Sequence, residues 1–274
     1  MGIVVTPGSE WSGKRVVVDP TIGWPKNRAV SPPGKILILG MPTHGTFAGA
    51  MVIPKANLRP APEFLTDAQA AALPLAGVTA YRAVVTKGKC AKDSVVLVTG
   101  VGGGVAVFAV QIAVALGAKV FVTSSSDAKI QRAVKELGAI GGVNYKDEAW
   151  PQTLLKQTKG VKFDAVIDGA GDIASIARVV AGGARIVTYG STMSPSATIT
   201  LPQLFLNQVE LLGTAMGSPE DFDGLMTLVN TKKIVPVVDE IFPFEKFHTA
   251  LDKMRAGGQF GKLVLNHDQL TAKL

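Results

Sequence analysis

"VVLVTGVGGGVAVFAVQIAVALGA", Val95–Ala118, decides the fold. It opens with β-branched residues, bends through Gly100, Gly102, Gly103 and Gly104, and continues as an uncharged run that Gly117 ends. A β-rich apolar opening, a glycine turn and a longer apolar segment read as buried strand, tight turn and buried helix. The run from Ser94 to Ala118 is long enough for a bilayer, but its glycine cluster and strand-like opening argue against one lipid-spanning helix.

Outward from this stretch, strand and helix patterns alternate. "KVFVTSS" reads as a strand and "SDAKIQRAVKELG" as an amphipathic helix, with Ser126 or Asp127 as cap and Gly138 as stop. "GGVNY" is short and extended. "DEAWPQTLLKQTKG" is a helix, "FDAVIDGAG" a strand, "IASIARVVAGG" a helix and "ARIVTYG" a strand. "VELLGTAM" is a further strand and "SPEDFDGLMTLVNTKK" a helix. Near-continuous apolar strands alternating with helices imply a parallel sheet covered on both faces.

The first 83 residues have another rhythm. "GIVV", "KRVVVDP" and "GAMVIP" read as short strands, "WPKNRAVSPPG" as a loop, and "TDAQAAALPLAGVTAYRAVV" as a helix capped at Thr66-Asp67 and broken at Pro74. The tail after residue 234 reads strand, helix, strand, with Phe244, Phe247, Leu251 and Met254 as a buried stripe.

The chain has 274 residues, a formal net charge of +7 and one cysteine. Its basic residues are scattered, so nucleic acid is not the expected partner, and a positive field suits a phosphorylated small molecule. Cys90 alone allows no internal disulfide and no multi-cysteine zinc site. Gly2 and Thr6 fit a myristoylation pattern, but "IVV" reads as a strand and no polybasic second anchor follows. No membrane association is expected; a cytoplasmic address is, with Ala272-Lys273-Leu274 as a variant of the peroxisomal tripeptide.

Four phosphate-loop classes contain a turn of this kind. A Walker A loop needs Lys and Ser/Thr where Val105-Ala106 stand. A kinase glycine loop joins two strands, whereas this one enters a helix. The short-chain dehydrogenase pattern is nearly met by Thr99, Gly100 and Gly104, but its Tyr-x-x-x-Lys pair is missing. Tyr81, Tyr145 and Tyr189 are followed four residues on by Val85, Ala149 and Met193. A substituted dinucleotide fingerprint places its three positions at Val101, Gly103 and Ala106. Gly103 admits the pyrophosphate, and the N–H groups of Gly104, Val105 and Ala106 face it. A glycine turn that merely packs helix on strand is the competing reading.

At the end of the second strand, NAD sites carry an acid for the ribose. Ser124 and Ser125 stand there, with Lys129 one turn on, which suits a 2′-phosphate and so NADPH. Asp127 is the counter-argument, read as a helix cap.

In order along the chain, "HGTFAGAMVIP", "AAALPLAGVTAYRAV", "VLVTGVGGGVAVFAVQIA", "GAIGGVNY", "FDAVIDGAG", "ARIVTYG" and "GKLVL" resemble the medium-chain dehydrogenase/reductase superfamily, in its zinc-independent quinone-oxidoreductase-like branch. The resemblance implies a Rossmann doubly wound parallel sheet plus a partial GroES-like β-barrel. Residues 1–83 and 234–274 would form the barrel and 84–233 the NADPH domain, usually as a homodimer. It implies that Thr79, Gly103, Gly104, Val105, Lys129, Tyr145, Tyr189, Gly190 and Lys262 line the NADPH site, with Gly213 and Thr214 near the nicotinamide. Tyr145 and Tyr189 as core aromatics, Lys262 as a solvated charge and Gly190 as a turn former are the alternatives. His44 is a loop histidine or a catalytic acid. The family's "FAEY" is Phe47-Ala48-Gly49-Ala50 here, and its opening barrel strands have no counterpart, so apolar barrel surface should be exposed or covered by a partner. The expected reaction is hydride transfer from NADPH to a quinone, enone or carbonyl. The alternatives are a non-catalytic NADPH binder and an enoyl-reductase-like enzyme.

Overall fold

The parallel sheet is the organising element of the computed structural model, which describes residues 1–25, 30–31, 37–192 and 195–267. The chain divides into two units, Met1–Val78 with Met216–Leu274, and Thr79–Ala215.

The first unit begins with short strands: β1 (Gly2–Ile3), β2 (Arg15–Val18), β3 (Thr21–Ile22), β4 (Leu37–Leu39), β5 (Pro42–Thr43) and β6 (Leu58–Pro60). They form two three-stranded sheets, β1-β2-β6 and β3-β4-β5. "GAMVIP" is not a strand: residues 49–54 pair with no neighbour, and Val52 is fully exposed. Met51 and Ile53 on either side of it are half-buried without forming a strand. Helix α1 (Asp67–Ala72) starts in a capping box, with Thr66 Oγ1 accepting from Gln69 N and Gln69 Oε1 from Thr66 N. Pro74 then opens α2 (Pro74–Tyr81), and a wider turn of helix runs on through Arg82–Lys87.

The second unit holds β7 (Val95–Val98), α3 (Gly104–Ala115), β8 (Lys119–Ser124), α4 (Asp127–Leu137), β9 (Gly141–Asn144), α5 (Trp150–Gln157), β10 (Phe163–Asp168), α6 (Ile173–Ile176), β11 (Val180–Thr188), α7 (Leu201–Leu206) and β12 (Glu210–Gly213). Six strands pair in parallel in the order β12-β11-β10-β7-β8-β9. The strands are added outward from β7 to one side and then outward from β10 to the other, which is the doubly wound order with its switch point between β7 and β10. Most residues of β7 and β10 are buried, as are Val180, Ala184, Ile186 and Val187 of β11, together with Phe108, Ile112, Trp150, Leu154 and Ile176 from the helices. Phe121 and Phe163 meet edge to face at 5.7 Å within this core.

One predicted helix is largely a strand. "IASIARVVAGG" gives only the short α6, and Val180–Gly183 joins β11 instead, with a register shift against β10. The β-branched pair Val179-Val180, both buried, settles beside Phe163 rather than on a helix face.

The chain returns through α8 (Pro219–Lys232), β13 (Val238–Pro243), α9 (Phe247–Arg255) and β14 (Lys262–Asn266). The sequence boundary at 233 assigned α8 to the sheet unit, whereas it groups with the first unit. Arg59 pairs with its Asp223, and a Cβ on Gly77 would lie 2.9 Å from its Leu225. The tail stripe is shallower than its spacing implies. Phe244, Phe247 and Leu251 are half-buried and Met254 is exposed; Phe244 meets Phe47 edge to face, stacks with Phe247 and lies tilted against His267.

Candidate dinucleotide site at the carboxyl edge of the sheet

The turn after β7 is built for close approach. Thr99 N donates to Ile167 O and Val101 N to Thr123 O, so the turn is pinned to strands on both sides. Gly100 and Gly102 have φ of +67° and +127°, values that a β-carbon opposes. These glycines supply the freedom lost at the substituted first fingerprint position. Gly103 is the extended N-cap of α3 and brings no side chain to the cap. The first intrahelical bond is Val107 N to Gly103 O, which leaves the amides of Gly104, Val105 and Ala106 directed out of the helix end.

Lys129 lies across this turn. A Cβ built on Gly102 would fall 2.7 Å from Lys129 Cδ and 3.1 Å from its Nζ. Its ammonium therefore sits at the glycine turn, close to Gly102. Ser124 is buried, and its hydroxyl donates to Val101 O at 2.9 Å, so its hydrogen is committed to shaping the turn. Ser125 is half-buried beside it. Ser126, not Asp127, takes the N-cap position of α4, and the exposed Asp127 carboxylate accepts from Asn144 Nδ2 at 3.1 Å. Tyr145 follows β9, donates its amide to Ser124 O and packs on the core.

A cleft of about 410 Å³ opens at the ends of β11 and β12, lined by Gly171, Thr188, Tyr189, Gly190, Gly213 and Thr214 among others. Thr214 N donates to Thr188 O, while Thr214 Oγ1 is buried with no partner. Tyr189 crowds Gly169, where a Cβ would meet the phenol oxygen at 2.5 Å. Burial, with a smaller effect of Asp168, pushes its pKa above the ordinary tyrosine range, so the phenol stays protonated.

The residue that sequence reasoning passed over is Asp168, the last of β10. It is fully buried and accepts from Thr99 Oγ1 at 2.7 Å, Ala170 N at 3.1 Å and Gly171 N at 3.0 Å. Thr99 Oγ1 in turn accepts from Gly169 N. Burial raises the Asp168 pKa, and these three bonds oppose the rise. The network ties the glycine turn to the loop that borders the cleft, across the switch point. A lone acid closing an apolar strand, "AVID", was the available signal.

Thr79 is buried in α2 and does not line this cleft. Lys262 belongs to the first unit, where it opens β14 and burial lowers its pKa. His44 is exposed in the loop after β5. The tripeptide Ala272-Lys273-Leu274 and part of the "WPKNRAVSPPG" loop lie outside the described residues. No helix among the described residues is long and apolar enough to cross a membrane.

The turn, the open helix end and the unpartnered Thr214 hydroxyl fit a dinucleotide laid along the carboxyl edge of the sheet. The family model described as zinc-binding dehydrogenase matches residues 104–231. The zinc-type alcohol dehydrogenase-like protein YogA of Leptosphaeria maculans is 36% identical over 95% of this chain and 76% of its own. Human NAD(P)H oxidoreductase RTN4IP1, mitochondrial, is 28% identical over 81% of this chain and 61% of its own. A crystal structure of an NAD-dependent alcohol dehydrogenase superposes with a TM-score of 0.84 at 33% identity, covering 93% of this chain and 76% of that one. The chain belongs to the medium-chain dehydrogenase/reductase superfamily, and is an oxidoreductase of its alcohol dehydrogenase and quinone oxidoreductase type.

Among the described residues no three His, Cys, Asp or Glu side chains gather to hold a metal ion. Cys90 is buried, and desolvation pushes its thiol up to about 12, far from a ready thiolate.

Proposed function

We propose that the chain transfers hydride from NADPH to a quinone, enone or carbonyl compound, without zinc. The observation that carries this reading is Lys129 folded over Gly102, with Ser124 ending β8 and Ser125 following it where an acid would otherwise stand. A cation at the turn favours phosphates, and the missing carboxylate removes the usual partner of a free ribose 2′-hydroxyl. The amides at the α3 end would hold the pyrophosphate, and Ser125 with Lys129 the 2′-phosphate. Thr214 Oγ1 would give the carboxamide end a hydrogen-bond partner. The bound nicotinamide supplies the hydride; the protein's part is to orient acceptor and ring in the cleft beside Tyr189 and exclude water from it.

The test follows NADPH absorbance with a panel of quinones and enones. Turnover with NADPH, at least tenfold slower with NADH at equal concentration, is the expected result. Lys129→Glu should raise the KM for NADPH at least tenfold while leaving that for NADH nearly unchanged. Equal use of both cofactors by the parent chain would refute the cofactor assignment. Tight NADPH binding without turnover would indicate a non-catalytic binder.

A homodimer is part of the same proposal. Among the described residues β12 is an unpaired sheet edge with Leu211 exposed, and α7 beside it exposes Leu201, Phe205 and Leu206. A two-fold pairing of β12 edges would cover them. Phe205→Glu with Leu206→Glu should halve the mass seen by sedimentation; a monomeric parent would refute the dimer.

A further inference from the structure

The first unit carries a cleft of its own, of about 690 Å³. Two buried polar side chains on its wall are short of partners. Asp19 is 2% exposed, and its carboxylate accepts one hydrogen bond, from Thr21 N at 3.0 Å. Thr21 is equally buried, and its Oγ1 has no partner. The loop that holds them is fixed rather than loose, because Asn57 Nδ2 donates to Asp19 O at 3.0 Å and to Thr21 O at 2.9 Å.

The cations of the cleft are already engaged. Arg59 pairs with Asp223 at 2.5 Å and donates to the carbonyls of Ala56 and Leu58. Lys55 pairs with Glu10. Trp11 and Trp24 add indole surface to the lining. A buried carboxylate with one bond is costly, since a desolvated charge is tolerated only when paired, and Arg59, already paired with Asp223, compensates it only in part.

We propose that this cleft binds a small primary ammonium compound with an apolar substituent, its nitrogen donating to Asp19 and Thr21 and its substituent lying on the tryptophans. Three features of the lining select that chemistry. The carboxylate needs a positive donor, the hydroxyl can accept a second N–H, and indole faces attract cations. A polyol would leave the carboxylate charge uncompensated. A metal ion would need further ligands, and among the described residues no three-donor cluster exists. The inference is independent of the nicotinamide reading, because every residue it uses lies in the first unit.

The charges around Asp19 set a pH dependence. Arg59 favours its ionised form, and Asp221 and Asp223 disfavour it, but burial dominates and lifts its pKa to about 6. Glu10 is held below the usual carboxylate range by Lys55, so that pair stays charged throughout. Ammonium affinity should therefore rise as pH climbs through about 6.

The experiment titrates n-butylammonium chloride into the full chain and reads tryptophan fluorescence. A saturable change at pH 7.5 is expected, at least tenfold weaker at pH 5. Tetramethylammonium, equally charged but without N–H groups, should bind at least tenfold more weakly. Asp19→Asn keeps an acceptor for Thr21 N and should abolish the response; Thr21→Val should weaken it several-fold. If Asp19→Asn fails to fold, Thr21→Val and the pH profile still decide. No saturable response in the parent chain, binding that survives Asp19→Asn, or displacement by glycerol or glucose would each overturn the proposal.

Discussion

Asp168 and Asp19 are buried to nearly the same extent, at 0% and 2% exposure, and burial raises the pKa of both. Their surroundings differ. Asp168, in the sheet unit, accepts from a hydroxyl and two amides. Asp19, in the first unit, accepts from one amide and lies next to a hydroxyl that bonds nothing. The first carboxylate is a joint, spending its acceptor capacity on holding the glycine turn to the β10 loop. The second is a socket, with capacity left for a molecule from outside. Burial alone does not separate the two roles; the count of satisfied partners does.

The sharpest way to break this contrast is to remove the joint. Asp168→Ala leaves the Thr99 hydroxyl and the amides of Ala170 and Gly171 without their acceptor. It should cost about 4 kcal/mol in urea unfolding. A loss under about 1 kcal/mol would show that the network holds nothing together.

Asp19→Asn should act in the opposite direction. The folded chain binds the Asp19 proton up to about pH 6, against an ordinary 3.8, so stability falls as pH rises between those values. Above pH 7 the penalty is complete, about 3 kcal/mol for a shift of roughly two units. The asparagine variant should melt higher than the parent at pH 8, and the difference should close near pH 4. A variant less stable at pH 8 would make Asp19 a structural acid like Asp168.

The smallest effect compares the two hydroxyls. Thr99→Val removes a donor to Asp168 and an acceptor for Gly169 N, and should cost about 1–2 kcal/mol. Thr21→Val removes only an orphan, and should be neutral or stabilising by up to about 1 kcal/mol. Equal losses in the two thermal melts would erase the distinction.

The alternation of apolar strands and capped helices made the doubly wound sheet legible, since both depend on near neighbours in sequence. The displaced fingerprint was legible for the same reason: strand, turn and helix flank it directly. What local pattern could not give was set by distant partners. Val179-Val180 read as helix because the register with Phe163 lies outside any sequence window. Ser124 read as a ligand because its bond to Val101 crosses from one strand to the loop of another. Asp168 and Asp19 each close an apolar run, and nothing in "AVID" or "VVVDP" tells how many donors each will meet.

The opening stretch carries one more consequence, for the life of the chain before it is folded. α3 is apolar on almost every face, and from Ser94 to Ala118 no charge interrupts the run. In an unfolded chain this is the segment that chaperones and misdirected membranes would seize first. Its protection comes from the strands on either side of it, β7 and β8, which pair Val95 with Lys119 and so close the run into a hairpin-sized crossover. Pairing of those two strands takes the uncharged run out of reach of both.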